Sequence, residues 1–467
     1  MVVAALRRVS GRERLEPVPA MFACGLENGG ANGDCRSMNE SAKPVAIFDV
    51  AVVGGGPAGL AAAIALAHAG ARTALIARRV GYGDNRTTAL LGGSIDLLRE
   101  LDVWPRCEAD AAPLRVMRLV DDTGRLIRAP EVRFSAAEIG LDAFGYNIAN
   151  RALMAAMEAR AAGAENLTWM DGEAEQVAPG DTVVTIGTRQ GETLTARLAV
   201  GADGRQSLCR KAAGIGITRR QLDQAALTFN VAHSRPHKNI STEFHTPHGP
   251  CVFVPLPGDR SSVVWVASPK EVERLAALSD DELAEAAERR SHSILGRLEV
   301  GQGRNQFPLG IERPARFAGN RIVLVGESAH VLPPIGAQGL NLGLRDAADI
   351  ADIVGDALSS GDDPGASAAL ARFETARRSD VLSRTFAIDM ANRSLLSDFL
   401  PIQTARALGL HVISRVGPLR RLAMREGLAP SWRQRPYRES RFRAFSSEAD
   451  TGSREENASN QNHRARF

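Results

Sequence analysis

"FDVAVVGGGPAGLAAAIALAHAGARTALIARR", residues 48–79, changes rhythm twice. A short apolar run from Phe48 to Val53 breaks at Gly54, Gly56 and Gly59. A small-residue helical stretch then ends at Gly70, and a second apolar run spans Thr73 to Ala77. Strand, glycine turn, helix and strand in that order predict a βαβ unit. Each glycine of the G-x-G-x-x-G spacing has its own reason: the first permits the turn, the second lets a pyrophosphate reach bare backbone, and the third lets helix and strand pack closely. Pro57 and Ala58 stand at the helix start, whose free N–H groups and positive dipole end attract phosphate. Gly54, Gly56, Pro57, Ala58 and Gly59 are therefore the candidate dinucleotide-binding residues. The competing reading is a tight strand-to-helix turn with no ligand.

The second strand ends without the acidic residue that would hold an adenosine ribose. Ala77 stands there, followed by Arg78 and Arg79. An arginine at this point can meet a 2′-phosphate, so Arg78 keeps NADP open beside FAD; a solvated strand end is the plain alternative.

The chain around this unit has 467 residues and a formal charge of +3, with its basic residues dispersed. That length buries a substantial core. The small net charge gives no reason to expect nucleic acid as a partner. Five cysteines, Cys24, Cys35, Cys107, Cys209 and Cys251, form no C-x-x-C pair, which argues against a disulfide framework or thiol redox centre and for a reducing cytoplasm. No run approaches the roughly 20 apolar residues of a membrane span. Residues 1–45 carry arginines and a Gly and Asn-rich patch without the apolar stretch of a secretory signal, and read as a disordered leader, with Met38 an alternative start to Met1. Residues 431–467 read as a charged, disordered tail.

Two later stretches also carry a buried strand into a loop: "AVGADGRQSLCRKAAGI" from Ala199 and "RIVLVGESAHVLPPIGAQGLNLG" from Arg321. With the first fingerprint they resemble the group A flavoprotein aromatic monooxygenases, most closely the ubiquinone-biosynthesis FAD-dependent hydroxylases. "DNRTTALLGGSIDLLRELDVW" from Asp84, "GYNIANRALMAAM" from Gly145 and "GPCVFVPLPGDRSSVVWV" from Gly249 extend the resemblance over Phe48 to Pro430. It implies an α/β fold: a Rossmann-like FAD-binding domain of the para-hydroxybenzoate hydroxylase type, an interleaved antiparallel β-sheet substrate domain and a C-terminal helical region. The expected order is the FAD-binding domain over 46–211 with inserted substrate-side segments, the antiparallel sheet over 212–308, the last part of the FAD-binding domain over 309–360, and helices over 361–430.

The resemblance also implies roles. FAD is the expected cofactor and NAD(P)H the co-substrate; reduced flavin would trap O2 as a C4a-hydroperoxide and pass one oxygen to an electron-rich ring. Asp203 and Gly204 would lie beside the flavin, although a turn aspartate can simply serve local N–H groups. Arg86 and Asn150 match positions close to the cofactor, with solvated surface as their alternative. Glu327 stands where the family usually has Asp, and would accept a hydrogen bond from a ribityl hydroxyl. His330 is a candidate acid or base because imidazole titrates near neutral pH, with packing beside the cofactor as the competing role. Pro334 joins it as a candidate catalytic-site residue, stiffening one face of the ring pocket with Pro333.

The third motif has a physics of its own. Leu340, Leu344, Ala347, Ala351, Val354 and Leu358 recur in steps of four and three, predicting a helix with one apolar face. Its start, near Leu340 and Asn341, would offer unpaired N–H groups, while Gly336 and Gly339 remove side chains that would block approach. Negative charge gathers at one edge of a flavin ring on reduction, and such a helix end would stabilise it.

His233, His237, His245 and His248 beside Cys251 raise a metal reading, but no recognised ligand spacing accompanies them, and none is expected. The substrate implied by the resemblance is a small aromatic or quinone precursor, a polyprenylated phenol or quinol, with a ubiquinone-biosynthesis complex as a partner. The segment Asp398 to Pro430 interleaves Leu400, Leu408, Leu410, Val412 and Ile413 with Arg406, Arg415, Arg420 and Arg421. That pattern suits peripheral contact at the inner face of the cytoplasmic membrane, or equally a helix packed on the enzyme's own core. A FAD-dependent reductase or dehydrogenase, and a non-catalytic flavin-binding quinone carrier, are the alternative functions.

Overall fold

The computed structural model describes residues 47–428, apart from 80, 82, 84, 126, 127 and 397–399. The expected leader and tail, the choice of start, and Cys24 and Cys35 lie outside the described residues.

The opening stretch folds as its pattern predicts. β1 (Ile47–Val53) is buried from Val50 onward, α1 (Pro57–His68) is buried from Gly59 to Ala67, and β2 (Thr73–Ile76) is buried throughout. Leu60, Ile64 and Leu66 each contribute roughly 1.5–3 kcal/mol by leaving water. Next come β3 (Thr87–Leu91), β4 (Val116–Asp121), β5 (Gly145–Ala149) and α2 (Asn150–Ala162). β6 (Leu167–Met170), β7 (Thr193–Gly201) and the short α3 (Leu208–Ala212) follow.

The middle of the chain supplies long strands: β8 (Ile217–His233), β9 (Ile240–Thr246), β10 (Gly249–Leu256), β11 (Arg260–Ala267) and β12 (Asn305–Pro314). The chain then forms β13 (Ile322–Leu324), α4 (Gln338–Ser359), α5 (Ser367–Leu396), α6 (Leu400–Arg415) and α7 (Gly417–Leu428). Among the described residues no helix is long and apolar enough to cross a membrane.

One sheet runs β13-β7-β1-β2-β6 with every one of these neighbours parallel. Val53 pairs Gly201, and Gly201 pairs Leu324, so the three motif loops leave adjacent strands at the same level. Ligands of open parallel sheets bind beyond such carboxyl ends. A second sheet runs β8-β11-β10-β9-β4, antiparallel except for β4 beside β9, with β12 also on β8. Its strands come from both sides of β7, and β12 continues through position 308, so this layer extends past the expected 212–308 limits.

α4 departs from its expected form in two ways. It begins at Gln338 rather than near Leu340, because the left-handed Gly336 (φ 65°) and Ala337 (φ 53°) turn the chain straight into it. It is also buried on more than one face, since α1 packs on one side and α5 on another. A Cβ on Gly343 would lie 3.0 Å from that of Ala58, and one on Gly355 3.4 Å from that of Ala69. Small residues on both helices permit that approach.

Candidate functional site

At the nucleotide end the glycines divide by what surrounds them. Gly54 sits at φ +112°, and a Cβ there would fall 2.3 Å from the Ala202 carbonyl oxygen; one on Gly59 would fall 2.0 Å from that of Gly54. Both positions are closed to any side chain. Gly56 has an ordinary φ of −68°, and a Cβ there would meet nothing within 4 Å, so bare backbone faces open space. α1 starts at Gly56 with no side-chain cap, and Leu60 makes the first intrahelical bond back to the Gly56 carbonyl at 2.9 Å. The Ala58 and Gly59 N–H groups precede it and have no intrahelical acceptor, while Pro57 has no N–H to satisfy. This cradle, open where a Cβ would otherwise fill it, fits the pyrophosphate of FAD.

Arg78 and Arg79 point to the plain reading of the strand end. Arg78 pairs with Glu173 at 2.9 Å on the surface, and the Arg79 guanidinium covers the Trp169 ring at 4.6 Å.

The second motif is tied locally. Asp203 accepts hydrogen bonds from Ser207 Oγ at 2.5 Å and Cys209 N at 3.0 Å, with Gly204 left-handed beside it at φ +76°. Its carboxylate therefore organises the turn into α3. Arg210, 3% exposed, donates to the carbonyls of Ser328 at 2.9 Å and Arg205 at 2.6 Å, stitching the second motif to the third. Gly326, left-handed at φ +62°, brings the third motif against the first: its Cβ would lie 2.8 Å from that of Ala58.

Beyond that junction lies a cavity of about 810 Å³. Leu119, Val252, Val254, Val264, Phe307 and Leu309 form its sheet wall, Ile388 of α5 and Met424 of α7 close it, and Pro334 to Leu340 form the edge facing α4. Gln338, Gly339 and Leu340, the first turn of α4, all line it with N–H groups that lack intrahelical acceptors. Side-chain space at Gly336 and Gly339 is open. Glu327 is exposed on the same side and makes no hydrogen bond among the described residues. Arg86, Glu327, Pro334, Gly336, Gly339 and Leu340 thus share one cavity.

The remaining candidates stand apart from its lining. Asn150 lies behind it, accepting from the lining Thr88 hydroxyl at 2.6 Å and donating its backbone N–H to the Arg86 carbonyl. Asn341 is fully buried; its amide accepts from Leu91 N at 2.9 Å and Ser94 Oγ at 2.6 Å, and donates to the carbonyls of Ala89 and Ala337, clamping α4 to β3. His330 is 3% exposed, with Nε2 held 2.7 Å from Asp346 Oδ2, and does not line the cavity. Of the two roles expected of His330, this geometry favours packing and hydrogen bonding over acid or base.

Asp346 is the hub of a buried ionic cluster that the sequence did not announce. It accepts from Gly326 N at 2.9 Å and meets Arg377 Nε at 2.5 Å; Arg377, wholly buried, also reaches Asp349 and Asp380 at 3.0 Å each. Arg345 joins Asp380 at 2.9 Å. Burial alone would raise the Asp346 carboxyl, but the Arg377 charge, followed by His330, brings it down to about 2. The third loop is therefore pinned to α5 by charge.

Other lining residues escaped the sequence reading: Arg205, paired with Glu312 at 2.9 Å, Arg384 of α5, and Glu243 of β9. Period-two alternation could have placed Ser241 and Glu243 on one face of β9, but not the helix residues brought from far along the chain. Three of the four histidines have separate partners: His233 Nε2 meets Ser261 Oγ, His237 Nε2 meets the Leu256 and Gly258 carbonyls, and His245 Nε2 meets Glu243, while the His233 and His237 rings meet edge to face at 5.5 Å. Cys107, Cys209 and Cys251 are buried free thiols, and burial pushes Cys107 up to about 11.

Comparison with known proteins bears on the whole of this architecture. A family profile described as "FAD binding domain" matches residues 48–380. Ubiquinone hydroxylase UbiL of Rhodospirillum rubrum is 34% identical over 82% of this chain and 90% of its own length. The 3-demethoxyubiquinol 3-hydroxylase of Escherichia coli is 28% identical over 81% of this chain and 98% of its own. Among solved structures, p-nitrophenol 4-monooxygenase PnpA of Pseudomonas putida superposes with a TM-score of 0.65 at 22% identity, covering 82% of this chain and 98% of that one. HpxO of Klebsiella pneumoniae, complexed with FAD and uric acid, gives 0.64 at 18% identity over 81% and 96%.

Proposed function

The chain belongs to the FAD-dependent monooxygenases, in the ubiquinone-hydroxylase family, and from that premise we propose that it hydroxylates the ring of a polyprenylated phenol or quinol intermediate of ubiquinone synthesis, with NAD(P)H as reductant and O2 as oxygen source. The observation that carries this reading is the largely apolar cavity of about 810 Å³ set directly against the open first turn of α4. Such a space suits an aromatic head with an apolar tail.

The chain's own residues divide the work. Gly56 with the first turn of α1 would hold the FAD pyrophosphate, Arg86 would add positive charge, and Glu327 would accept from a ribityl hydroxyl. The N–H groups of Gln338, Gly339 and Leu340 would meet the edge of the ring where negative charge collects on reduction. FAD, when bound, supplies the chemistry that couples a two-electron reductant and O2 to insertion of one oxygen atom. Val252, Val254, Val264 and Leu309 keep the reacting space dry, which suppresses wasteful release of hydrogen peroxide.

Access from a membrane surface is part of the proposal. Phe386 (67% exposed) and Met390 of α5 stand out in solvent beside the lining residues Ala387 and Ile388, and Leu419 and Leu422 of α7 do so beside Ala423 and Met424. Arg421 and Arg425 are exposed among them, a pattern that suits anionic lipid. Arg406 and Arg420 are instead committed within the protein, to Asp121 at 2.9 Å and Glu138 at 2.5 Å, so only part of the basic set is available.

The test uses purified protein, which should be yellow, together with labelled O2, NAD(P)H and short-chain prenylphenols. Label appearing in the product supports the reading; NAD(P)H oxidation that never labels product, or a colourless protein that FAD cannot reconstitute, overturns it. In liposome flotation, binding to anionic vesicles should weaken when Phe386 and Leu422 become serine. Equal absence of binding in both forms removes the membrane component.

A further inference from the structure

β9 alternates cleanly. Thr242, Phe244 and Thr246 are buried on the far side, while Ser241 and Glu243 line the cavity. Glu243 is thus a carboxylate set in a wall whose neighbours across the sheet are Leu119 and Val252. A half-buried carboxylate in such surroundings is unfavourable unless it is partnered. Among the described residues it has one partner: His245 Nε2 lies 3.0 Å from Oε1. Oε2 carries no hydrogen bond among the described residues.

Apart from Arg86, which the proposed function assigns to FAD, the other charged groups around the cavity are differently occupied. Arg118 is paired with Glu131 at 2.7 Å, Arg205 with Glu312 at 2.9 Å, and Arg384 donates to the Gly427 carbonyl at 3.2 Å. Glu327 belongs to the third-motif loop and faces from that side. On the sheet wall, then, one acceptor is held in place by an imidazole and left with open lone pairs.

We propose that Glu243 is the group that recognises the substrate's ring hydroxyl, accepting its hydrogen bond and so selecting a phenol or quinol over the corresponding quinone or methyl ether. A carboxylate at neutral pH only accepts, and a ketone or ether oxygen offers it no hydrogen. Such an oxygen at this point leaves two acceptors facing each other without a proton. His245 acts as the positioning residue, fixing Oε1 so that Oε2 is aimed into the cavity. The hydrogen bond also draws the hydroxyl proton toward the carboxylate, which raises electron density in the ring that must accept oxygen. This inference rests on the phenol reading above and specifies how that substrate class is chosen.

The experiment measures binding to the FAD-loaded full-length protein through the change in flavin absorbance, with 2-geranylphenol and its O-methyl ether as probes. The unaltered protein should prefer the phenol by roughly 10- to 100-fold, the range of a hydrogen bond to a charged group. Glu243→Met should bring the two probes within about twofold, and Glu243→Gln, which keeps a neutral acceptor and the side-chain shape, should fall between. A purely structural role would weaken both probes together and leave their ratio unmoved. If Glu243→Met fails to retain flavin, the Glu243→Gln ratio decides alone. A phenol that is bound and hydroxylated with the same ratio in all forms overturns the Glu243 assignment and spares the phenol reading. Failure of both probes to perturb the flavin removes both.

Discussion

α1 and α4 both begin at open space without a side-chain cap, yet α4 carries a charged anchor that α1 lacks. α1 is fixed by backbone contact and apolar packing: Gly54 and Gly59 touch neighbouring carbonyls, and its alanines are buried. α4 is also packed, with Leu342, Leu344, Ile350 and Val354 buried, and adds charge through Asp346, Asp349 and Arg345 against α5. The lesson is that exposed N–H groups require an anchor elsewhere. A helix whose first turn is reserved for a ligand gives up the roughly 1 kcal/mol of a cap, and packing or ion pairing offsets it.

The contrast can be broken at several points, beginning with the strongest. Arg377→Leu removes the buried cation that Asp346, Asp349 and Asp380 share, although Asp380 keeps Arg345, and should lower unfolding free energy by about 3–5 kcal/mol in denaturant titration. A loss under about 1 kcal/mol would mean that charge does not hold α4. Gly59→Ala attacks α1 instead: with 2.0 Å between the new Cβ and a backbone oxygen, strand and helix must part, so roughly 3 kcal/mol and most of the flavin should be lost.

Acid separates the two anchors without mutation. Because the Asp346 carboxyl is depressed to about 2 from an ordinary 3.8, its stabilisation is complete above about pH 5 and is lost as pH falls through about 2. The expected loss is about 2 kcal/mol, and Asp346→Asn should flatten that part of the stability profile. Gly56→Ala should do the converse of Gly59→Ala. Its side chain meets open space, so melting should shift by no more than about 1 kcal/mol, while FAD dissociation weakens by about tenfold or more. The smallest effect is expected from Arg78→Ala, within about 0.5 kcal/mol and with flavin retained, since its surface partner is Glu173. A tenfold loss of flavin there would return Arg78 to the cofactor-binding residues.

The same difference explains what was legible beforehand. The nucleotide end is built from one continuous stretch, and glycine leaves a signature because nothing else fits at φ +112° or against a carbonyl. Period 3.6 likewise found α4, although it predicted a single apolar face. The buried carboxylates were invisible as such, because nothing local in sequence marks Asp346 and Asp349 as paired with Arg377, twenty-eight residues beyond Asp349. The large cavity was harder still. Leu119, Glu243, Leu309, Arg384 and Met424 belong to five separate segments, and no local spacing relates them. Asp203 and Asn341 show a further limit: residue type and position were noticed, but each side chain is spent on holding loops together.

α5 runs for 30 residues, about 45 Å of rod, and its two halves answer to different partners. The early turns lock into the carboxylates beneath the third loop, and the later turns lay Ala387 and Ile388 along the cavity. Under the proposed function, adaptation to a bulkier or smaller ring would proceed by replacing residues three turns downstream, while the salt lock beneath the third loop is inherited unchanged.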